Sequence, residues 1–487
     1  MSNDVVLVTG ATGYIGGRLV PRLLDAGRRV RILARDPGRL EGREWLDQVE
    51  IFTGDVLVPS TLVDAMDGVA KAYYMVHSMV GGTGFHQRDI EGARNFGFAA
   101  KAAGVSHIIY LGGLGDSDSD LSKHLTSRQQ IGEILRQSNV PVTEFRAAVV
   151  VGAGSISFEI VRSLVERLPV MICPSWLQTR IQPIAINDLL DYLVSVLDVP
   201  ESIGKIIEVG GANVLTYGQM MLGYARVRGL RRWLISVPVL TPCLSSYWVH
   251  WITPIPSTIV RPLVEGLRNE VIVRESIAKT IFPKIVPMDY SAAVDRTLKD
   301  LELGRTETAW SDALWKRTEA IMPLNLVAQS GLIVEQRTRI VFASAELVYK
   351  CFAGIGNGRG WYYATIFWKL RGLFDRLLGG VGLRRGRRHP DDLRVGDALD
   401  FLRVEAVEPN RMLRLRAEMK LPGKAWLQFR TTTQSDGTVL LEQKAIFAPK
   451  GLLGLLYWYA LYPIHRWIFD GLIRQISRRA ERAKVTI

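Results

Sequence analysis

The chain has 487 residues, more than one hydrophobic core normally serves, so its length predicts two domains. A composition of 48% hydrophobic and 22% charged residues excludes an intrinsically disordered or collagen-like protein. The formal net charge of +13 would suit an anionic partner; the alternative is a basic surface without a dedicated partner. The sequence shows no basic stripe with interleaved aromatic residues, so we expect no nucleic-acid partner.

The first half of the chain alternates short apolar runs with amphipathic stretches. Alternation of this length predicts right-handed crossovers and an α/β fold, a doubly wound parallel sheet of the Rossmann type. We expect residues 212–300, which are rich in Pro and Trp, to cap the carboxyl ends of the strands, where such folds bind substrate. Strands are predicted at residues 5–8, 30–33, 49–52, 72–76, 107–111, 142–151, 181–186 and 206–209, and helices at 18–26, 60–66, 88–103 and 126–137.

The pattern changes near residue 325, where polar and apolar residues alternate as in antiparallel strands with one solvated face. A long helix over residues 452–483 follows them. The sequence therefore predicts one domain at residues 1–300 and a second at residues 325–487. The strands predicted for the second domain lie at residues 332–341, 398–407, 411–419, 426–432 and 438–447.

The cysteines and the apolar stretches bear on the cellular compartment. Cys173, Cys243 and Cys351 are far apart and lack metal-ligand spacing, so we expect neither a disulfide framework nor a metal site. The N-terminus lacks a signal-peptide pattern, which predicts a cytoplasmic protein. Prolines or charges interrupt the apolar residues 234–260 and 451–469, which favours buried or interfacial segments over spanning helices. Peripheral contact with the inner membrane face remains an alternative, because Trp, Tyr and Arg favour that boundary.

A glycine-rich motif joins the first predicted strand to the first predicted helix. Glycines at such a turn let the backbone approach a pyrophosphate, and the helix N-terminus supplies amide donors. Three glycines alone would be weak evidence, whereas this strand–turn–helix context makes the signal specific. The predicted cofactor-binding residues of this motif are Gly10, Thr12, Gly13, Tyr14, Ile15 and Gly16.

The end of the second predicted strand indicates which nicotinamide cofactor binds. NAD binders place a carboxylate there for the ribose hydroxyls, whereas this chain has Ala34 followed by Arg35. A guanidinium can pair bidentately with a 2′-phosphate, so we predict a preference for NADP(H) over NAD(H). The alternative is a surface arginine that pairs with Asp36.

Residues 1 to about 300 resemble the atypical short-chain dehydrogenase/reductase family allied to NmrA-like proteins. The matching pieces are TGATGYIGG, the GDV triplet at residues 54–56, the strand HIIYLGGLG and Asn95 in the preceding helix. The resemblance implies further cofactor contacts, with Asp55 and Val56 at the adenine and Val76 and His77 in the cleft.

Residues 325–487 resemble a domain of unknown function that is fused to some of these proteins. The runs LLGGVGLRRGRRHPDDLRVGD and LRAEMKLPGKAWLQF carry this likeness, together with the aromatic C-terminal helix. The domain looks like an α+β helix-grip fold of the SRPBCC (START-like) type, which implies an apolar cavity for a hydrophobic small molecule. The alternative is an ordinary aromatic core. The candidate lining residues are Trp361, Tyr362, Trp368, Trp426, Tyr457, Trp458 and Trp467.

The sequence departs from the family pattern at the catalytic positions. Active members of the superfamily use a Tyr-x-x-x-Lys pair and a serine at the end of the fifth strand. Here the strand ends in Gly112-Gly113, and alignment places His124 and Arg128 at the Tyr and Lys positions. In one interpretation His124 donates the proton and Arg128 holds the ribose. In the other, the catalytic pair has decayed and the domain only binds its nucleotide.

Three functions are compatible with these residues. The first is an NADPH-dependent oxidoreductase that acts on an apolar carbonyl or quinone-like compound, and we favour it because the fold and cofactor site support it. The second is a catalytically decayed sensor of the NADP(H) pool. The third is a carrier of lipid or quinone at the membrane surface.

Overall fold

A computed structural model of the protein forms two compact units, residues 1–320 and 321–487. The residues that the structure describes are 4–41, 43–76, 85–116, 121–237, 265–275, 277–302, 307–308, 327–329, 331–356, 360–377, 393–434 and 436–485. His77 and much of the expected cap, residues 238–264, lie outside the described residues.

The N-terminal unit is an α/β structure. Its strands are β1 (Val5–Thr9), β2 (Arg29–Ala34), β3 (Glu50–Thr53), β4 (Val69–Tyr74), β5 (His107–Gly113), β6 (Val142–Ala147), β7 (Val150–Val151), β8 (Val170–Pro174), β9 (Arg180–Ile181), β10 (Ile184–Ala185), β11 (Ile206–Val209), β12 (Leu215–Thr216) and β13 (Trp233–Val237). Its described helices are α1 (Gly16–Asp25), α2 (Ser60–Met66), α3 (Phe85–Ala102), α4 (Lys123–Arg136), α5 (Ile156–Arg167), α6 (Ile186–Ser195), α7 (Tyr217–Val227), α8 (Ile277–Ile281) and α9 (Tyr290–Glu302).

Among the described residues of this unit, seven parallel strands form the main sheet, in the order β11-β6-β5-β4-β1-β2-β3. Every residue of β1 and β5 is buried, as expected for central strands covered on both faces. From β3, at one edge, the chain returns to β4 beside β1, so the strand order reverses between β1 and β4. A crevice forms at such a reversal, outside the carboxyl ends of the strands. The predicted Rossmann-type sheet is therefore confirmed.

One strand expected from the sequence is two strands in the structure. The apolar run 142–151 breaks after Ala147, because the backbone there changes partners. β6 lies between β5 and β11, whereas β7 pairs with β10 outside the main sheet. The Val149 carbonyl accepts a hydrogen bond from the Ile184 amide at 2.9 Å. Hydrophobicity alone does not reveal this change, since both strands are apolar.

The C-terminal unit is built on an antiparallel sheet. Its described elements are β14 (Val327–Gln329), β15 (Leu332–Val341), α10 (Ala345–Ala353), α11 (Thr365–Leu377), β16 (Ala398–Leu399), β17 (Leu402–Glu408), β18 (Met412–Ala417), β19 (Gly423–Thr433), β20 (Val439–Pro449) and α12 (Gly451–Val485). The strand order in the sheet is β14-β15-β20-β19-β18-β17-β16. The helix α12 buries Leu472, Ile473 and Ile476 in the same core as the inner faces of the strands. The antiparallel sheet agrees with the prediction, and the helix-grip assignment stays a prediction.

Two features of this unit differ from the sequence expectation. The single strand predicted at 398–407 is a tight hairpin of β16 and β17, because Asp400 adopts φ +52° and reverses the chain. Trp467 does not line an interior space, since 48% of its surface is exposed. The described part of the chain contains no helix whose length and apolar character would suit a membrane span.

Candidate active site

The glycine-rich turn brings the end of β1 against the start of α1. Gly10 has φ +74°, and a Cβ there would lie 2.4 Å from the Met75 carbonyl oxygen. A Cβ on Gly16 would lie 2.4 Å from the Gly10 carbonyl oxygen, so neither position admits a side chain without a backbone shift. The Gly13 amide closes the turn by donating to the Gly10 carbonyl at 2.9 Å. The turn therefore places the N-terminus of α1 at the crevice between β1 and β4.

This turn fits the pyrophosphate of a dinucleotide. The residue before α1, Ile15, gives the helix no side-chain cap, so no side chain competes there with a bound anion for the first amide donors. The half-buried Thr12 and Gly13 belong to the same turn. A bound NAD(P)H would lie across this end of the sheet, and it would supply hydride for a reduction.

Tyr14, a residue of the glycine-rich turn, packs its side chain inside the protein. Its hydroxyl is buried, points at Gly152 and has no hydrogen-bond partner among the described residues. Burial raises the pKa of Tyr14 above its ordinary value. The guanidinium of the buried Arg18 lies 4.8 Å from the Tyr14 ring centroid, and Thr308 donates to the Tyr14 carbonyl at 2.7 Å. We therefore expect any cofactor contact of Tyr14 to come from its backbone.

A positively charged side chain follows the end of β2. Arg35 is exposed, and its neighbour Asp36 uses a carboxylate oxygen to accept from the Gly38 amide at 3.1 Å. Among the described residues no ion pair joins Arg35 and Asp36. The surface-pair alternative is thus not what the structure shows, and the Arg35 guanidinium remains available to an anionic group.

The loop after β3 is fixed by α3. Asn95 donates from its side-chain amide to the Val56 carbonyl at 3.1 Å. Asp55 accepts from the Leu57 amide at 3.0 Å, and its own amide donates to Thr61. These bonds hold Asp55 and Val56, the expected adenine neighbours, in one position. Asn95, which the sequence analysis singled out, therefore fixes the position of the loop after β3.

The two strands that flank the crevice are tied together at their carboxyl ends. Thr9, which ends β1, donates its hydroxyl to the Tyr73 carbonyl of β4 at 2.9 Å and accepts from the Met75 amide at 3.2 Å. Val76 follows directly and is half-buried. It therefore lies next to the glycine-rich turn, whereas His77 falls outside the described residues.

The carboxyl end of β5 is crowded where the missing serine would lie. A Cβ on Gly112 would lie 2.9 Å from a carboxylate oxygen of Glu144, and a Cβ on Gly113 would lie 3.0 Å from Leu125. A serine at either position would require its neighbours to move. The superfamily serine is therefore not merely absent from the sequence: the packing around both glycines disfavours it.

Arg128 points back toward this strand end. Its guanidinium donates to the Leu111 carbonyl and lies 5.7 Å from the centroid of the Tyr110 ring. In turn the Tyr110 hydroxyl donates to the Arg128 carbonyl at 2.8 Å. Burial raises the pKa of Tyr110 to about 12, so this phenol stays protonated near neutrality. The structure thus places Arg128 at the carboxyl edge of β5, beside the crevice.

His124 is the second residue of α4 and lies one helical turn before Arg128, so the two positions share a face of the helix. The side chain of His124 lies outside the described residues. The same region holds a pair that the sequence analysis missed, in which His86 Nδ1 lies 3.0 Å from the hydroxyl of the buried Ser127. Ser127 lies three residues after His124, and this spacing could have identified it as a neighbour of the candidate site. No pattern in the sequence predicted a role for His86.

Two other features lie apart from this site. A shallow pocket of 580 Å³ lies at the C-terminal end of α1, where Arg22, Asp188 and Asp191 contribute to its lining. Because the glycine-rich turn is at the opposite end of α1, this pocket does not belong to the cofactor crevice. Among the described residues no group of three or more His, Cys, Asp or Glu side chains is arranged to hold a metal ion.

Comparison with known proteins agrees with this geometry. Residues 10–163 match the NAD(P)H-binding family model, and residues 334–472 match a family of unknown function, DUF2867. Ceramide reductase of Caulobacter vibrioides is 30% identical over 338 residues, which cover 67% of this chain and 99% of that protein. A (4-alkanoyl-5-oxo-2,5-dihydrofuran-3-yl)methyl phosphate reductase of Streptomyces griseus is 30% identical over 232 residues, 46% of this chain and 74% of that protein.

The fold has solved counterparts. An NADPH-dependent quinone oxidoreductase of Escherichia coli, complexed with NADPH, superposes with a TM-score of 0.50 at 19% identity, covering 60% of this chain and 99% of that one. This likeness concerns the fold alone. Together with the two reductases, the comparisons show that the chain belongs to an NAD(P)H-binding, oxidoreductase-type family of the short-chain dehydrogenase/reductase kind.

Proposed function

We propose that this protein is an NADPH-dependent reductase of an apolar carbonyl or quinone-like compound. One observation carries the cofactor part of the proposal, namely the exposed Arg35 at the end of β2, where NAD binders have a carboxylate. A guanidinium there can pair with the 2′-phosphate that distinguishes NADPH from NADH. The apolar substrate class is supported by the relation to a ceramide reductase, whose named substrate is a lipid.

His124 and Arg128 are the proposed reacting and positioning residues. Arg128 holds a fixed positive charge at the carboxyl end of β5, where it can orient the ribose and the substrate oxygen without exchanging a proton. An imidazole at position 124 can donate a proton near neutrality, since the ordinary histidine pKa is about 6.5. The contact between His86 and the buried Ser127, one turn away, would hold α3 against α4 near this site.

The experiment is a fluorescence titration of the full-length protein with NADPH and with NADH, followed by absorbance assays with apolar ketones and quinones. We expect tighter binding of NADPH, and we expect Arg35→Ala to weaken NADPH by about tenfold or more while NADH is unaffected, since one charge-assisted hydrogen bond contributes about 1.5–3 kcal/mol. Equal affinities in the wild type would refute the preference. The control is Arg39→Ala, in the next turn of the same segment.

A second candidate function rests on the crowded Gly112 and Gly113. Because the serine of active relatives is missing and both positions are crowded, the site also suits a protein that binds NADP(H) and reports its level without turnover. Tight NADPH binding without oxidation across the substrate panel would favour this sensor. The third candidate, a surface carrier of lipid or quinone, would bind vesicles but not NADPH.

For the C-terminal unit we propose the helix-grip (SRPBCC-like) assignment and a role in binding the hydrophobic substrate. This assignment is supported by a long helix that packs against an antiparallel sheet, and by an aromatic interior. There the Trp361 ring stacks on Trp368 and on Phe401, with ring centroids 4.6 Å and 5.0 Å apart. These rings fill much of the space that a ligand would need. A ligand would therefore have to displace or reorient some of these rings.

A further inference from the structure

The helix α12 presents an apolar stripe to solvent over its first half. At 100° per residue the outward residues fall within about 140° of the helix circumference, which places them on one face. They include Leu453 at 75% exposure and Leu456 at 58%. The full stripe consists of Leu452, Leu453, Leu456, Tyr459, Ile464 and Trp467. Soluble surfaces rarely expose so many large apolar side chains in one row, so the row indicates an interaction surface.

The neighbouring helix α11 extends this surface. Its outward residues Ile366, Phe367, Leu370 and Leu373 are 40–66% exposed and lie on one face of that helix. Phe367 meets Trp467 of α12 edge-on, with ring centroids 5.5 Å apart. The two stripes are therefore continuous. We call this surface, made of the ten named residues, the α11–α12 face.

The exposed charges beside the α11–α12 face are mainly basic. Arg466 is exposed, and Asp470, one helical turn farther along α12, is paired with Arg474 at 2.5 Å. Farther along α12 the outward positions become Arg474, Arg478 and Arg482. The outward side of α12 is thus apolar over its first half and mainly basic over its second half.

We propose that the α11–α12 face docks the protein on an anionic lipid membrane. An interfacial helix of this kind buries its apolar side chains at the level of the lipid headgroups, and its basic residues meet anionic lipid. The charge pattern argues against a second copy of the chain as the occupant. In a two-fold dimer this face would meet itself and would bring together two copies of a helix whose exposed arginines outnumber its acidic residues, Asp470 and Glu481. The inference is independent of the proposed reductase activity.

The test is flotation of the full-length protein with vesicles, without cofactor or substrate. One set of vesicles is phosphatidylcholine, and the other adds about one third phosphatidylglycerol. We expect binding to the anionic vesicles that falls as salt is raised, since exposed charges are screened. Leu453→Glu should lower the bound fraction by at least tenfold. The matched control is Val286→Glu, which makes the same change at an 83% exposed position of the N-terminal unit and should bind as the wild type does.

Either of two results would overturn the proposal. The first is that wild-type protein stays unbound at low salt, and the second is that Leu453→Glu and Val286→Glu bind equally well. Sedimentation of the same proteins without vesicles tests whether the face binds a second copy of the chain. A dimer that forms in the wild type and dissociates in Leu453→Glu would assign the face to a second copy instead.

Discussion

Glu144 gives the sharpest stability prediction, because the chain contains a matched exposed counterpart. Glu144 is fully buried on β6, and its two carboxylate oxygens accept from Arg136 at 2.6 Å and from Arg146 at 2.8 Å. Glu50 also accepts from two arginines, Arg29 and Arg31, but 43% of its side chain is exposed. The two glutamates therefore differ mainly in burial.

Replacing Glu144 by Gln keeps the shape and removes the charge. Arg146, whose side chain is only 11% exposed, would then carry an uncompensated buried charge. Breaking such a buried pair costs about 3–5 kcal/mol, whereas an exposed pair contributes about 0.2–1 kcal/mol. We therefore expect Glu144→Gln to destabilise the N-terminal unit by several kcal/mol and Glu50→Gln by less than about 1 kcal/mol.

The assay is hydrogen exchange of the full-length protein, read by mass spectrometry on peptides from β5 and β6. At 1.36 kcal/mol for each factor of ten, the loss corresponds to roughly two to three and a half orders of magnitude in protection for Glu144→Gln. Glu50→Gln should change protection by less than about fivefold. Similar effects of the two substitutions would refute the argument from burial.

Three further predictions concern the site and the pH response. Gly16→Ala should weaken NADPH binding at least tenfold in a fluorescence titration, because its Cβ would lie 2.4 Å from the Gly10 carbonyl oxygen. His124→Ala should slow turnover by about a hundredfold or more without changing NADPH affinity, since a positioned acid contributes about 10²–10⁴. Burial lowers the pKa of His107 from 6.5 to about 4, so its contribution to stability is complete above pH 6.5 and is lost as pH falls toward 4; His107→Gln should flatten this part of a urea-denaturation profile.

Each of these has a result that would contradict it. Gly266→Ala, whose added Cβ would have only an ordinary contact at 3.5 Å, is the control for Gly16→Ala, and equal NADPH affinities would refute the close-approach argument. Equal turnover of wild type and His124→Ala would remove the proton-donor role. The acid-dependent loss assigned to His107 amounts to about 3 kcal/mol, from a shift of about 2.5 units, so an unchanged slope in the Gln variant would contradict it.

Local pattern was enough for much of the N-terminal fold. The apolar runs of β1 and β5 identify strands that are buried on both faces, and the glycine-rich turn between β1 and α1 specifies its own backbone geometry. These features depend on neighbours in sequence, so periodicity and residue type reveal them. The parallel Rossmann-type sheet followed from the alternation, and the C-terminal antiparallel strands followed from polar–apolar alternation.

Tertiary structure decided what depends on partners far away in the chain. The break after Ala147 arises because β7 pairs with β10, and the crowding at Gly112 arises from the carboxylate of Glu144 on another strand. The contact of His86 with Ser127 joins positions 41 residues apart. The sequence by itself determined which reactive and binding side chains this protein contains. Only the packing of distant elements determined which of them meet, because such contacts are set by three-dimensional proximity rather than by spacing in the sequence.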